Sequence, residues 1–98
     1  MKTYTGDRTI DGVKVSVDGQ PLPPCVDVAL FSRNGFEWSY EGSEPSQLAL
    51  ALLVDHLGDA ERARSLAPAF MRAVVANFDN EWQMTSADID TALAALKP

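Results

Sequence analysis

"GFEWSYEGSEPSQLALALLVDHLG", Gly35 to Gly58, is the stretch on which the fold turns. Its first half alternates aromatic and polar residues: Phe36, Trp38 and Tyr40 share one face, Glu37 and Ser39 the other, the period-two pattern of a strand. Its second half is a helix pattern. Ser43 or Glu44 can cap, and Pro45 stands near the first helical position, where its missing N–H costs nothing. Gly58 is a natural stop. Leu48, Ala49, Leu52, Leu53 and Leu57 form one stripe, and Leu50, Ala51 and Val54 cover much of the rest. A helix apolar nearly all round is buried on several sides. The spacing therefore predicts a central helix over 45–57.

Upstream of this stretch the chain reads as β. "KTYTG" is a short strand candidate. "VKVSV", Val13 to Val17, alternates cleanly, and Asp18-Gly19 follows it as a tight hairpin turn. Pro21, Pro23 and Pro24 limit "QPLPP" to brief pairing at an edge or a crossing loop. "VDVALFS", Val26 to Ser32, is expected as a further strand, with Phe36 to Tyr40 returning beside it. Downstream the chain reads as α. "AERARSLA" opens a helix that Pro68 ends or kinks. "PAFMRAVVANF" continues, with Phe70, Val74 and Phe78 on one stripe, and "DNEW" is a loop. A last helix runs from Thr85, with Asp88 three residues on in a near capping-box pattern. Strands first and helices after define an α+β class. The expectation is an N-terminal antiparallel meander of three to four strands packed on a C-terminal bundle of three to four helices.

Ninety-eight residues, 46% of them hydrophobic, make one globular domain, residues 1–98, with a core large enough to stand without staples. The single cysteine, Cys25, excludes an internal disulfide and suits a reducing compartment. The N-terminal residues lack the apolar run of a signal peptide, so a cytoplasmic location is expected. The longest apolar run, Leu48 to Val54, is too short for a bilayer, so no membrane is expected. Fourteen acidic against eight basic residues give a net charge of −6. With the basic residues scattered, direct nucleic-acid binding is not expected, because it needs a basic face.

The chemistry-bearing residues are few. Cys25 and His56 are the lone cysteine and histidine. They could work as a nucleophile and base only if the fold joined them. The favoured reading is a packed cysteine and a histidine at the negative end of a helix dipole. One of each cannot build a structural zinc site, and the acidic pairs are too sparse for a calcium loop, so no metal or cofactor is expected. Gly42-Ser43 before the central helix could hold an anion on backbone N–H groups. Glu41 and Glu44 flank that turn and oppose an anion, which favours a structural turn. Phe36, Trp38 and Tyr40 are expected in the core. Trp82, in polar surroundings, either folds back onto that core or stays exposed as a binding hot spot.

The residues resemble a family of short bacterial proteins, domain of unknown function family 6166. The likeness rests on "YTGDR" (Tyr4–Arg8), the Gly35–Gly58 stretch, "VVANF" (Val74–Phe78) and "EWQMTSADID" (Glu81–Asp90) in that order. Ser39 and Glu44 stand where the family pattern leads us to expect glycine, and both are expected to tighten the turn's φ requirements. The resemblance carries no catalytic residues. It implies a small accessory protein of a mobile element, phage or plasmid. On that footing the expected function is non-enzymatic binding of a protein with a basic surface. Its most concrete version is an anti-CRISPR-like inhibitor whose carboxylates block the nucleic-acid groove of a host defence complex. The residues expected to carry it are Glu37, Glu41, Glu44, Asp79, Glu81 and Trp82. The alternative is a small ligand-binding domain or enzyme using the Gly42-Ser43 turn.

Overall fold

The structure, a computed structural model, describes residues 2–96. It is an α+β arrangement: a four-stranded antiparallel sheet and three helices. Strands β1 (Thr3–Thr9), β2 (Gly12–Val17) and β3 (Gln20–Pro21) follow one another as hairpins. The β2–β3 turn is Asp18-Gly19, both at positive φ (49° and 83°), the left-handed pair that matches the twist of a two-residue hairpin. β4 (Glu81–Thr85) arrives from far along the chain and pairs with the other edge of β1, giving the order β3-β2-β1-β4.

Two expected strands are not strands. Val26–Ser32 and Phe36–Tyr40 lie in a stretch, residues 22–42, outside any strand or helix, and the fourth strand forms in residues 81–85, whose start has the sequence pattern of a loop. The reason is where the backbone groups find partners. Gln47 in the first helix takes up four of them: its Oε1 accepts from the N–H groups of Phe31 (2.8 Å) and Ser32 (3.1 Å), and its Nε2 donates to the carbonyls of Pro24 (2.6 Å) and Ala29 (3.2 Å). A buried amide replaces the ladder that alternation alone suggests.

Helix α1 (Ser43–Leu57) is the centre of the molecule: Leu48, Leu50, Leu52 and Leu53 are all fully buried. Each such leucine contributes about 1.5–3 kcal/mol of transfer free energy. They share one core with Tyr4, Val15, Trp38 and Trp82 from the sheet side and with Phe70 and Val75 from the helical side. The N-cap is Gly42, with no side-chain cap; Ser43 and Glu44 are already helical. Gly42 is not at positive φ, and a Cβ there would stand 2.8 Å from the ring of the exposed Tyr40, which would have to turn aside. Gly58 ends the helix at φ 66° and donates to Val54 O.

Helix α2 (Ala60–Ala73) starts on Asp59, whose carboxylate accepts from Arg62 N at 3.1 Å. It does not end at Pro68 but runs through it; Pro68 is exposed, so the carbonyl it fails to bond can reach water. Ala63, Ala67, Phe70 and Met71 form its buried stripe. The expected Phe70–Val74–Phe78 stripe is broken, because the helix stops at Ala73 and a 3₁₀ turn, Val75–Asn77, leads to an extended Phe78. Helix α3 (Ser86–Leu96) opens on the expected capping box. Thr85 N donates to Asp88 Oδ2 (2.9 Å) and Asp88 N to Thr85 Oγ1 (3.2 Å).

Candidate functional site

The alternation of β1 sends Tyr4, Gly6 and Arg8 to the core face and Thr5 and Asp7 to the open face. Arg8 therefore reaches inward at the end of the sheet, where Glu37, Trp38 and Asn80 meet it. Its Nη2 donates to Glu37 Oε1 (2.7 Å) and Trp38 O (3.1 Å), its Nη1 donates to Asn80 Oδ1, and its guanidinium lies 4.9 Å from the Trp38 ring centre. One arginine so ties β1 to two stretches distant in sequence. Behind it is an aromatic cluster. Phe78 stacks on Trp82 at 4.3 Å and 14°, and Trp38 meets Trp82 edge-to-face at 5.8 Å and 85°. The indole N–H groups of both tryptophans are buried without a hydrogen-bond partner among the described residues.

Two open clefts flank this corner. One, about 600 Å³, is lined by Arg8, Ser39, Phe78, Asp79, Asn80 and Glu81. The other, about 360 Å³, is lined by Thr5, Asp7, Glu81, Trp82 and Gln83. Glu81 borders both. On the sheet's open face Asp7 stands directly opposite Glu81 in the β1–β4 register and opposite Lys14 in the β1–β2 register. Ser39 at the cleft has φ 78°, the left-handed region that favours glycine. Its Oγ donates to Phe78 O and its N–H to Val75 O (3.1 Å), which holds it there. Glu44, the other position where glycine was expected, has no such constraint: it is helical.

The six expected site residues separate into three groups. Glu37, Asp79 and Glu81 gather around Arg8, but Glu37 is neutralised by it. Asp79 and Glu81 are exposed and make no ion pair among the described residues. Glu41 is exposed, and Glu44 accepts from the Tyr40 hydroxyl at 3.2 Å; neither lines either of these two clefts. Trp82 is buried, so the choice left open for it resolves to the core. Phe36, Trp38 and Tyr40 do not act as one face: Trp38 is buried and Phe36 half-buried, while Tyr40 is exposed. Sequence reasoning missed Asp7, Arg8 and Asn80. Only the β1–β4 register, which joins residues more than seventy positions apart, brings them together.

Cys25 and His56 have separate partners. His56 Nε2 contacts Asp90 Oδ1 at 2.6 Å, joining α1 to α3, and the Cys25 thiol contacts Pro23 O at 3.6 Å. Burial, reinforced by the negative charges of Asp27 and Asp55, pushes the Cys25 thiol up and keeps it a poor nucleophile. Among the described residues no three of His, Cys, Asp and Glu gather closely enough to hold a metal ion, and no helix is long and apolar enough to cross a membrane.

No curated protein and no solved structure matches the chain. A family model does, over residues 4–95, which takes in all but the first residue of β1, the Arg8 corner, the Gly35–Gly58 stretch and nearly all of α3. The chain belongs to that family, the family of unknown function DUF6166.

Proposed function

We propose that the protein is a non-enzymatic binding protein that engages a partner with a basic surface through Asp7, Asp79 and Glu81. The observation that carries this reading is the direct opposition of Asp7 and Glu81 across β1 and β4. Like charges facing each other on neighbouring strands cost about 0.2–1 kcal/mol. Lys14 offsets part of that cost from the other side of Asp7 without reaching ion-pair distance. A lysine or arginine of a partner placed between the two carboxylates turns the repulsion into attraction on binding. The net charge of −6 assists the encounter.

In its most concrete form, the partner is a nucleic-acid-binding complex of host defence and the carboxylates stand where phosphates would lie. That version carries with it an origin on a phage or plasmid and a cytoplasmic location, where a lone cysteine stays reduced. It requires no cofactor, no direct nucleic-acid contact and no membrane.

The test is affinity capture from the source cells with three baits: wild type, Asp79→Lys/Glu81→Lys and Glu41→Lys/Glu44→Lys. Thermal melts check that each bait is folded. We expect a basic protein that the wild type and the Glu41/Glu44 variant retain, that salt releases, and that the Asp79/Glu81 variant loses. Exposed ion pairs respond to salt in this way because screening acts over about 8–10 Å at physiological strength. Equal retention by all three folded baits would remove the acidic corner from the function.

A further inference from the structure

The stretch between β3 and α1 presents a second surface, unrelated to the acidic corner. Val28 N and Ala29 N both donate to Cys25 O, closing one helical turn over residues 25–29. Val28 and Ala29 pack inward on the core. Val26 lies within that turn and Leu30 just past it. They are 48% exposed each, and the adjoining Phe31 is 36% exposed. The backbone that displays them is fixed from beneath, since Gln47 holds Pro24, Ala29, Phe31 and Ser32. Long irregular segments held this firmly are commonly binding loops, and apolar side chains presented by a fixed backbone lose little entropy when covered.

We propose that this patch is a contact between two copies of the chain, related by a two-fold axis. A two-fold interface must complement itself, residue i meeting j and j meeting i. Asp27 lies within the turn and Arg33 just beyond Phe31; both are exposed and neither makes an ion pair among the described residues. Around an apolar centre, Asp27 of one copy meets Arg33 of the other, twice. The patch is also locally neutral on a chain of net charge −6, so two copies approach there against less repulsion than at the acidic corner. Three side chains cover much less than the roughly 800 Å² per partner of a standard interface, so the dimer is weak and dissociates on dilution.

Sedimentation equilibrium of the full chain, from about 10 μM to about 1 mM, tests this; we expect the mass to rise from one chain toward two over that range. Phe31→Glu, and separately Asp27→Arg or Arg33→Asp, should each weaken association at least tenfold. The double exchange Asp27→Arg/Arg33→Asp restores the pairing with its ends swapped and should recover most of it, a rescue that a merely structural role would not produce. These two charges are exposed, so the exchange series stays informative even if Phe31→Glu fails to fold. A mass of one chain at every concentration overturns the proposal. So does a dimer that ignores all of these changes, or one that the double exchange leaves as weak as the single variants.

Discussion

Trp82 occupies the space that a side chain at Gly6 would need. The two residues face each other across β1 and β4, and a Cβ at position 6 would fall 2.2 Å from the indole Nε1 and 2.3 Å from Cε2. Gly6 is not at positive φ, so its role is room rather than conformation. The indole cannot yield easily, because Phe78 stacks on it and Trp38 meets it edge-to-face. Gly6→Ala should therefore cost about 1–3 kcal/mol, the range of overpacking in a filled core. In a Trp82→Leu background the same change should cost much less, and urea titrations of the four proteins in the cycle measure that coupling. Additive losses would mean that the two residues do not meet as described.

Gln47→Leu keeps the volume of a fully buried side chain and removes the only partners shown for Phe31 N and Ser32 N. Leaving buried groups unpaired costs about 1–3 kcal/mol each, and relaxation of the loop toward water returns part of it. We expect a net loss of about 2–4 kcal/mol. The amides of Phe31 and Ser32 should change from slow to fast hydrogen exchange, while those of α1 follow the global loss. Unchanged protection at both amides would show that the loop stands without Gln47.

The same glutamine explains what the sequence could and could not disclose. The β2 strand with its Asp18-Gly19 turn, the buried α1 and the Thr85–Asp88 box were legible because each depends on neighbours in sequence: a period of two closed by a turn dipeptide, a continuous apolar surface, a three-residue reciprocal bond. Val26–Ser32 and Phe36–Tyr40 alternate like strands, but strand character is completed by a partner, and here the partner is a side chain. Residues 81–85 alternate too, Trp82 and Met84 turning inward, yet five residues next to a helix cap carry little signal until β1 is beside them. The candidate site was half legible for the same reason. Asp79 and Glu81 stand out as acids, whereas Asp7 and Arg8 acquire their meaning from register alone.

Ser39 carries its own prediction. At φ 78° a residue with a Cβ costs roughly 1–2 kcal/mol relative to glycine. The hydrogen bond from its Oγ to Phe78 O returns about 0.5–1.5 kcal/mol. Ser39→Gly exchanges one for the other and should leave stability within about 1 kcal/mol of wild type. Ser39→Ala keeps the strain and loses the bond, so it should be the least stable of the three by about 1 kcal/mol. Thermal melts rank them, and an alanine variant as stable as the glycine variant would contradict the left-handed backbone at this position.

Tyr4 ties stability to alkaline pH. Its side chain is fully buried, and its hydroxyl donates to Asp55 Oδ2 at 2.7 Å, an oxygen that Lys2 Nζ also approaches at 3.1 Å. Burial raises the phenol well above its ordinary value of 10.0, and the hydrogen bond to Asp55 and the charges of Asp55 and Asp18 raise it further. The folded protein thus keeps a proton that the unfolded chain releases near pH 10. The stabilisation is complete below that pH and is lost as pH rises above it, because there the unfolded state binds fewer protons than the native one. A single group of this kind gives a slope of at most about 1.4 kcal/mol per pH unit. Tyr4→Phe should cost about 0.5–1.5 kcal/mol at neutral pH, where the bond to Asp55 is lost. Above pH 10 its stability should fall less steeply than wild type. Some slope remains, since Tyr40 and Cys25 are raised as well. Urea midpoints measured at intervals from pH 8 upward decide the matter: parallel curves for the two proteins would show that the buried phenol is not the group that titrates.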